Sequence, residues 1–150
     1  MIRWPHPGIV AATVLTLAWQ PPASGHGEVH ERIAELSTQI DRRPEDATLY
    51  FRRAEMRRLH QEWTEAEDDY RKAATLNPQL AAVRLGRATL RFDCGHAAEA
   101  EKLATEYLAE APGQSDGLLL RARARAAQGR VDEAARDYDD SLASLSAATP

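Results

Sequence analysis

Five histidines, one cysteine and a short run of carboxylates are the residues of this 150-residue chain whose types suit chemistry. His60 and His96 stand 36 apart, each where one helical pattern breaks and the next begins. With Ser and His both sparse, no nucleophile–base pair is evident, and neither a nucleophile elbow nor a phosphate-loop glycine pattern is expected. The chain is therefore read as non-enzymatic, with no cofactor. Asp137, Asp139 and Asp140 resemble a carboxylate cluster but lie in a helical pattern without the glycine of a calcium loop, and read as a solvated face. The sharper metal pattern is N-terminal. If a leader is cut after Gly25, the new amine and the His26 imidazole form a copper-chelating pair, with His30 one helical turn on. A cut after Ala23 would instead place His26 third from the amine. This gives the alternative function, a copper-handling protein of the periplasm; the other expectation is a terminus that binds no metal.

Nineteen Lys and Arg against 23 Asp and Glu leave a formal charge of −4, with the signs interspersed. Binding a phosphate backbone needs a net basic face, so nucleic acid is not expected as a partner. One Arg, an apolar run from Ile9 to Trp19 and the tail QPPASG have the three regions of a secretory signal peptide, placed at residues 1–25. The run is too short for a permanent span. The expected location is periplasmic or secreted, with no stable membrane anchor after cleavage. Cys94, the single thiol, leaves no internal disulfide and reads as a partly buried filler at a helix end.

The elements that position these residues follow a fixed period. Pro44, Pro78 and Pro112 are 34 apart, as are Ala54, Ala88 and Ala122, and Ala66, Ala100 and Ala134. Ahead of them, Val29, Ile33, Leu36 and Ile40 fall on one face of a helix over 28–42. Helices are predicted at 46–60 and 63–76, at 80–93 and 97–110, and at 115–128 and 131–145. Breaks at Gly95 and Gly129 suit the left-handed residue that commonly follows a helix. The strict alanines are expected where two helices cross closely. Tyr70 and Tyr138 are expected to fill the gap to the next unit. The middle unit has Ala104 at that place and Tyr107 one turn later, which reads as volume moved rather than lost.

With Tyr50, Ala54, Trp63, Ala66, Tyr70, Ala73 and Pro78 in the first unit, the chain resembles the tetratricopeptide repeat family. Gly95, Ala100 and Pro112 carry the likeness in the second unit, and Leu118, Ala122, Gly129, Ala134 and Tyr138 in the third. It covers 47–145 without a gap and is taken as the exported bacterial type. It implies an all-α, right-handed solenoid: a capping half-repeat at 26–44, then repeats at 47–80, 81–114 and 115–148. It also implies a scaffold that binds a protein or peptide. By phase, the first helix of each unit lines a concave groove, which places there Phe51, Glu55, Arg58, Leu85, Thr89, Phe92, Leu119 and Arg123. The family's carboxylate-clamping groove uses Lys, Asn and Arg at such places. Phe51, Glu55, Leu85 and Thr89 stand there instead, so binding of a chaperone tail is not implied.

Two departures carry further expectations. Arg53, Arg87 and Arg121 precede the small Ala where the family often has Leu, and Asp69 and Asp137 precede the Tyr of the second helix. Pairs Arg53–Asp69 and Arg121–Asp137 are expected, which would leave Arg87, facing Leu103, free for another partner. No polar capping helix is expected after the last unit. Leu142 or Leu145 is therefore expected to be exposed and open to self-association, giving a possible homo-oligomer.

Overall fold

The computed structural model describes residues 24–147, the first three by backbone alone. Among them are seven helices and no strands: α1 (Ser24–Arg42), α2 (Ala47–Leu59), α3 (Trp63–Leu76), α4 (Ala81–Asp93), α5 (Ala97–Glu110), α6 (Ser115–Ala127) and α7 (Val131–Ala147). The six repeat helices start and stop where the 34-residue pattern puts them, but α1 begins at Ser24 instead of Glu28. The expected leader lies almost wholly outside the described residues. No described helix is long and apolar enough to cross a membrane.

Helix ends follow from local chemistry. Asp46 caps α2, its carboxylate accepting from the Thr48 amide at 3.1 Å. At the turn inside each repeat one residue adopts positive φ: Gln61 at 63°, Gly95 at 81° and Gly129 at 79°. The next amide then reaches back to a carbonyl five residues earlier, Glu62 to Arg57, His96 to Arg91 and Arg130 to Arg125, at 2.9–3.0 Å. This closes the exposed end of the first helix. Gln61 adopts the left-handed conformation with a side chain, at a cost of about 1 kcal/mol.

Consecutive helices pack as neighbours along the chain. Beyond that, α2 touches α4 and α4 touches α6, whereas α3, α5 and α7 show no such pairing. Alternate helices meet only on the inside of a curve, so α2, α4 and α6 form the inner row. The six strict alanines are all buried between the helices of their repeats, where a larger side chain would hold the backbones apart. At the N-terminal end, Leu36 and Ile40 of α1 cover Leu49 of α2.

The moved tyrosine has a partner that the sequence reading missed. Tyr70 of α3 is fully buried and lies over Gly86 of α4, where an added Cβ would come within 2.7 Å of its ring. Tyr107 of α5 lies over Gly117 of α6 in the same way, also at 2.7 Å. Relative to the repeat, the tyrosine moved three residues toward the C-terminus and the glycine three toward the N-terminus. Opposite shifts are what antiparallel neighbours require. Tyr138 departs from its expected role: with no described helix beyond α7 it remains 37 % exposed, beside Leu142 at 65 % and Leu145 at 51 %.

Candidate interaction surface

The inner helices are held to the outer ones by buried charge. In the first repeat the Asp69 carboxylate accepts from Arg53 through Nε at 2.8 Å and Nη2 at 2.7 Å. Arg57, one turn on from Arg53, adds a third bond at 2.7 Å. In the third repeat Asp137 accepts from Arg121 at 2.9 and 2.6 Å and from Arg125 at 2.9 Å. Both expected pairs are present, and both carboxylates are buried. The hydrogen bond to its aspartate, opposed by burial, raises the affinity of Arg53 and of Arg121 for its proton. Asp137 thus leaves the solvated face on which the sequence placed it, while Asp139 and Asp140 stay exposed.

Arg87 is not free. Its guanidinium donates to Glu67 of the preceding repeat at 2.7 and 3.2 Å, and Arg91 lies 3.4 Å from the same carboxylate. One repeat later, Glu101 accepts from Arg125 and Gln128 at 3.0 Å and from Arg130. Burial works against ionisation of Glu101, but these hydrogen bonds outweigh it and lower its proton affinity. The signal for the second clasp was present as the period-34 set Arg57, Arg91 and Arg125, one turn after the first arginines.

The eight expected groove residues divide into two groups. Toward the N-terminus, Phe51 packs against the first core cluster, with its ring 6.2 Å from that of Tyr70. Glu55 accepts from the Tyr70 hydroxyl and from Arg58 at 3.1 Å, and Arg58 also donates to Asp93. Burial and the Glu55 carboxylate push the Tyr70 hydroxyl far up, so it remains a donor. These charges are engaged within the chain.

Toward the C-terminus, Leu85, Thr89, Leu119 and Arg123 line one concavity of about 290 Å³ with Asp116 and Leu120. Thr89 spends its hydroxyl on the Leu85 carbonyl at 2.9 Å, so its methyl is what it can offer. The Arg123 guanidinium sits over the Phe92 ring at 4.5 Å, and among the described residues no carboxylate is bonded to it. Leu119, Arg123 and Asp116 are exposed. An apolar floor flanked by an open cation and an open carboxylate results.

Two further chemical candidates are structural. Gly113-Gln114-Ser115-Asp116-Gly117 has the spacing of a nucleophile elbow, yet it joins α5 to α6 with no strand ahead of it, and Gly117 is occupied by Tyr107. Burial pushes the Cys94 thiol up, and the residue packs against the first core cluster as a filler. The side chain of His26 is outside the described residues, so the expected N-terminal copper pair is not among them.

A family model described as a tetratricopeptide repeat matches residues 32–81 and 85–150. No curated protein matches the chain. Among solved structures, one titled "Crystal structure of MamA" is similar at 18% identity and a TM-score of 0.70, covering 81% of this chain and 71% of that one. A second MamA structure, from MSR-1, gives 18% identity and 0.68 over 83% of this chain and 71% of that one. A tetratricopeptide repeat protein from Parabacteroides merdae gives 23% identity and 0.72, covering 79% of this chain but 46% of that one. At these identities the likeness is one of fold.

Proposed function

The chain belongs to the tetratricopeptide repeat family, and from that premise we propose that it is a non-enzymatic scaffold holding a protein segment along its inner row of helices. The observation that carries this reading is the concavity of Leu85, Thr89, Leu119, Leu120, Asp116 and Arg123 on adjacent inner helices. Leucines spaced along two helices suit the apolar side chains of an extended or helical peptide. Arg123 and Asp116 at its edges set the direction in which a charged segment lies. Phe51, Glu55 and Arg58 support the row from within rather than offering open contacts. The three-region N-terminus supports a location in the periplasm or outside the cell as part of this reading.

The test is capture from that compartment by the wild type and by a Leu119→Glu/Arg123→Glu variant, both shown by circular dichroism to be folded. These two side chains are exposed, so the changes spare the core. The expected result is a protein retained by the wild type and weakened at least about tenfold in the variant, the size expected for loss of one good interface anchor. Equal retention would move the site off the groove, to the exposed α7 face. Retention by neither would overturn the scaffold reading.

A further inference from the structure

We propose that His30, His60 and Glu62 form a binding site for a divalent transition metal, with zinc as the reference ion, that fastens α1 to the first repeat. The three residues come from separate elements: His30 from α1, His60 from the C-cap of α2 and Glu62 from the N-cap of α3. One ligand atom of each lies within 4.8 Å of the others. The two imidazoles meet edge to face with centroids 4.2 Å apart, and His60 Nδ1 is 2.9 Å from Glu62 Oε1.

Two imidazoles and one carboxylate are a borderline donor set suited to zinc or copper(II). A tetrahedral ion with bonds of about 2.0–2.2 Å holds its ligand atoms roughly 3.4 Å apart. The His60–Glu62 separation is already near that value, and the ion would replace the hydrogen bond between them. His30 must close by up to about 1.4 Å, and its side chain is exposed and so can rotate toward the other two.

The surroundings fit this reading. The backbone turn at Gln61, with φ of 63°, separates the two ligands His60 and Glu62. Arg57 Nε lies 3.8 Å from the other Glu62 oxygen, leaving Oε1 toward the imidazoles. From Gly27 to Glu35 no residue of α1 is buried, and its buried contacts begin at Leu36. The metal would reinforce the half of α1 that is only partly packed.

The site does not depend on the groove reading, and it does not use the N-terminal amine or His26. The test is calorimetric titration of zinc into the untagged, chelator-stripped full chain, with thermal melting alongside. One equivalent should bind and raise the melting temperature. His30→Ala, which changes an exposed residue, should weaken binding at least about tenfold, and Glu62→Gln should do the same. His26→Ala and His96→Ala should leave binding unchanged. Wild-type affinity surviving in His30→Ala/His60→Ala, or no binding and no shift at about tenfold excess of zinc, would overturn the proposal.

Discussion

The first repeat and the middle repeat solve the same two packing problems with different residues, and the third shares the first's solution to one of them. In the first and third, a buried aspartate of the second helix gathers two arginines of the first. In the middle one, Leu103 takes the aspartate's place, and Arg87 and Arg91 turn to Glu67 of the repeat before. The aspartate clasps therefore tie helices within a repeat, whereas the glutamates Glu67 and Glu101 tie each repeat to the next, with Arg125 shared between the two kinds. The aromatic packing differs in the same manner: Tyr70 on Gly86 and Tyr107 on Gly117 make one contact at two registers. What these contacts require is that each of the clasp arginines find a carboxylate and that Tyr70 and Tyr107 each find a gap; the position from which either comes is not fixed.

The largest contrast expected is between the two kinds of clasp. Asp69→Ala leaves Arg53 and Arg57 without their shared carboxylate and should destabilise the protein by about 2–4 kcal/mol. This is somewhat below the loss for a fully buried pair, because the guanidinium groups keep some contact with water. Glu67→Ala, whose arginines are more exposed, should cost about 1 kcal/mol. Chemical denaturation of both variants checks this, and equal losses would erase the distinction between buried and bridging clasps.

Next in size is the shifted ring contact. Gly117→Val restores the residue type of the equivalent position, Val83, but drives a side chain into the Tyr107 ring. It should cost about 1–3 kcal/mol in the wild type and clearly less when introduced into Tyr107→Ala. Additive losses in that double-mutant cycle would show that the two shifts are unrelated.

The smallest effect is on pH dependence. The proton affinity of Glu101 is lowered in the folded protein, from an ordinary value of 4.5. Its contribution to stability is therefore present above that value and lost as pH falls through the lower folded one. As pH falls below about 4.5 the wild type should lose more stability than Glu101→Gln. Parallel acid-unfolding curves would remove Glu101 from the account.

The repeat itself was legible in the sequence because its constraints are local and periodic. Pro44, Pro78 and Pro112 stop helices wherever they stand, and the alanines recur because each repeat has the same close crossing. The Arg53–Asp69 and Arg121–Asp137 pairs could be read for the same reason, each lying within one repeat. The partners of Arg87, the glycines beneath the two tyrosines and the meeting of His30 with His60 were not legible. They join different repeats, or the capping helix to a repeat, and a period of 34 says what recurs without saying which faces meet. The groove residues show the same division. Phase placed all eight on the first helices, but only the packing of one helix on the next decided that Glu55 and Arg58 are engaged and that Leu119 and Arg123 are open. Sequence determined the unit, because proline, glycine and alanine act on their own backbone. Tertiary structure decided the partners, because the burial of a charge or a ring depends on the helix that comes to lie beside it.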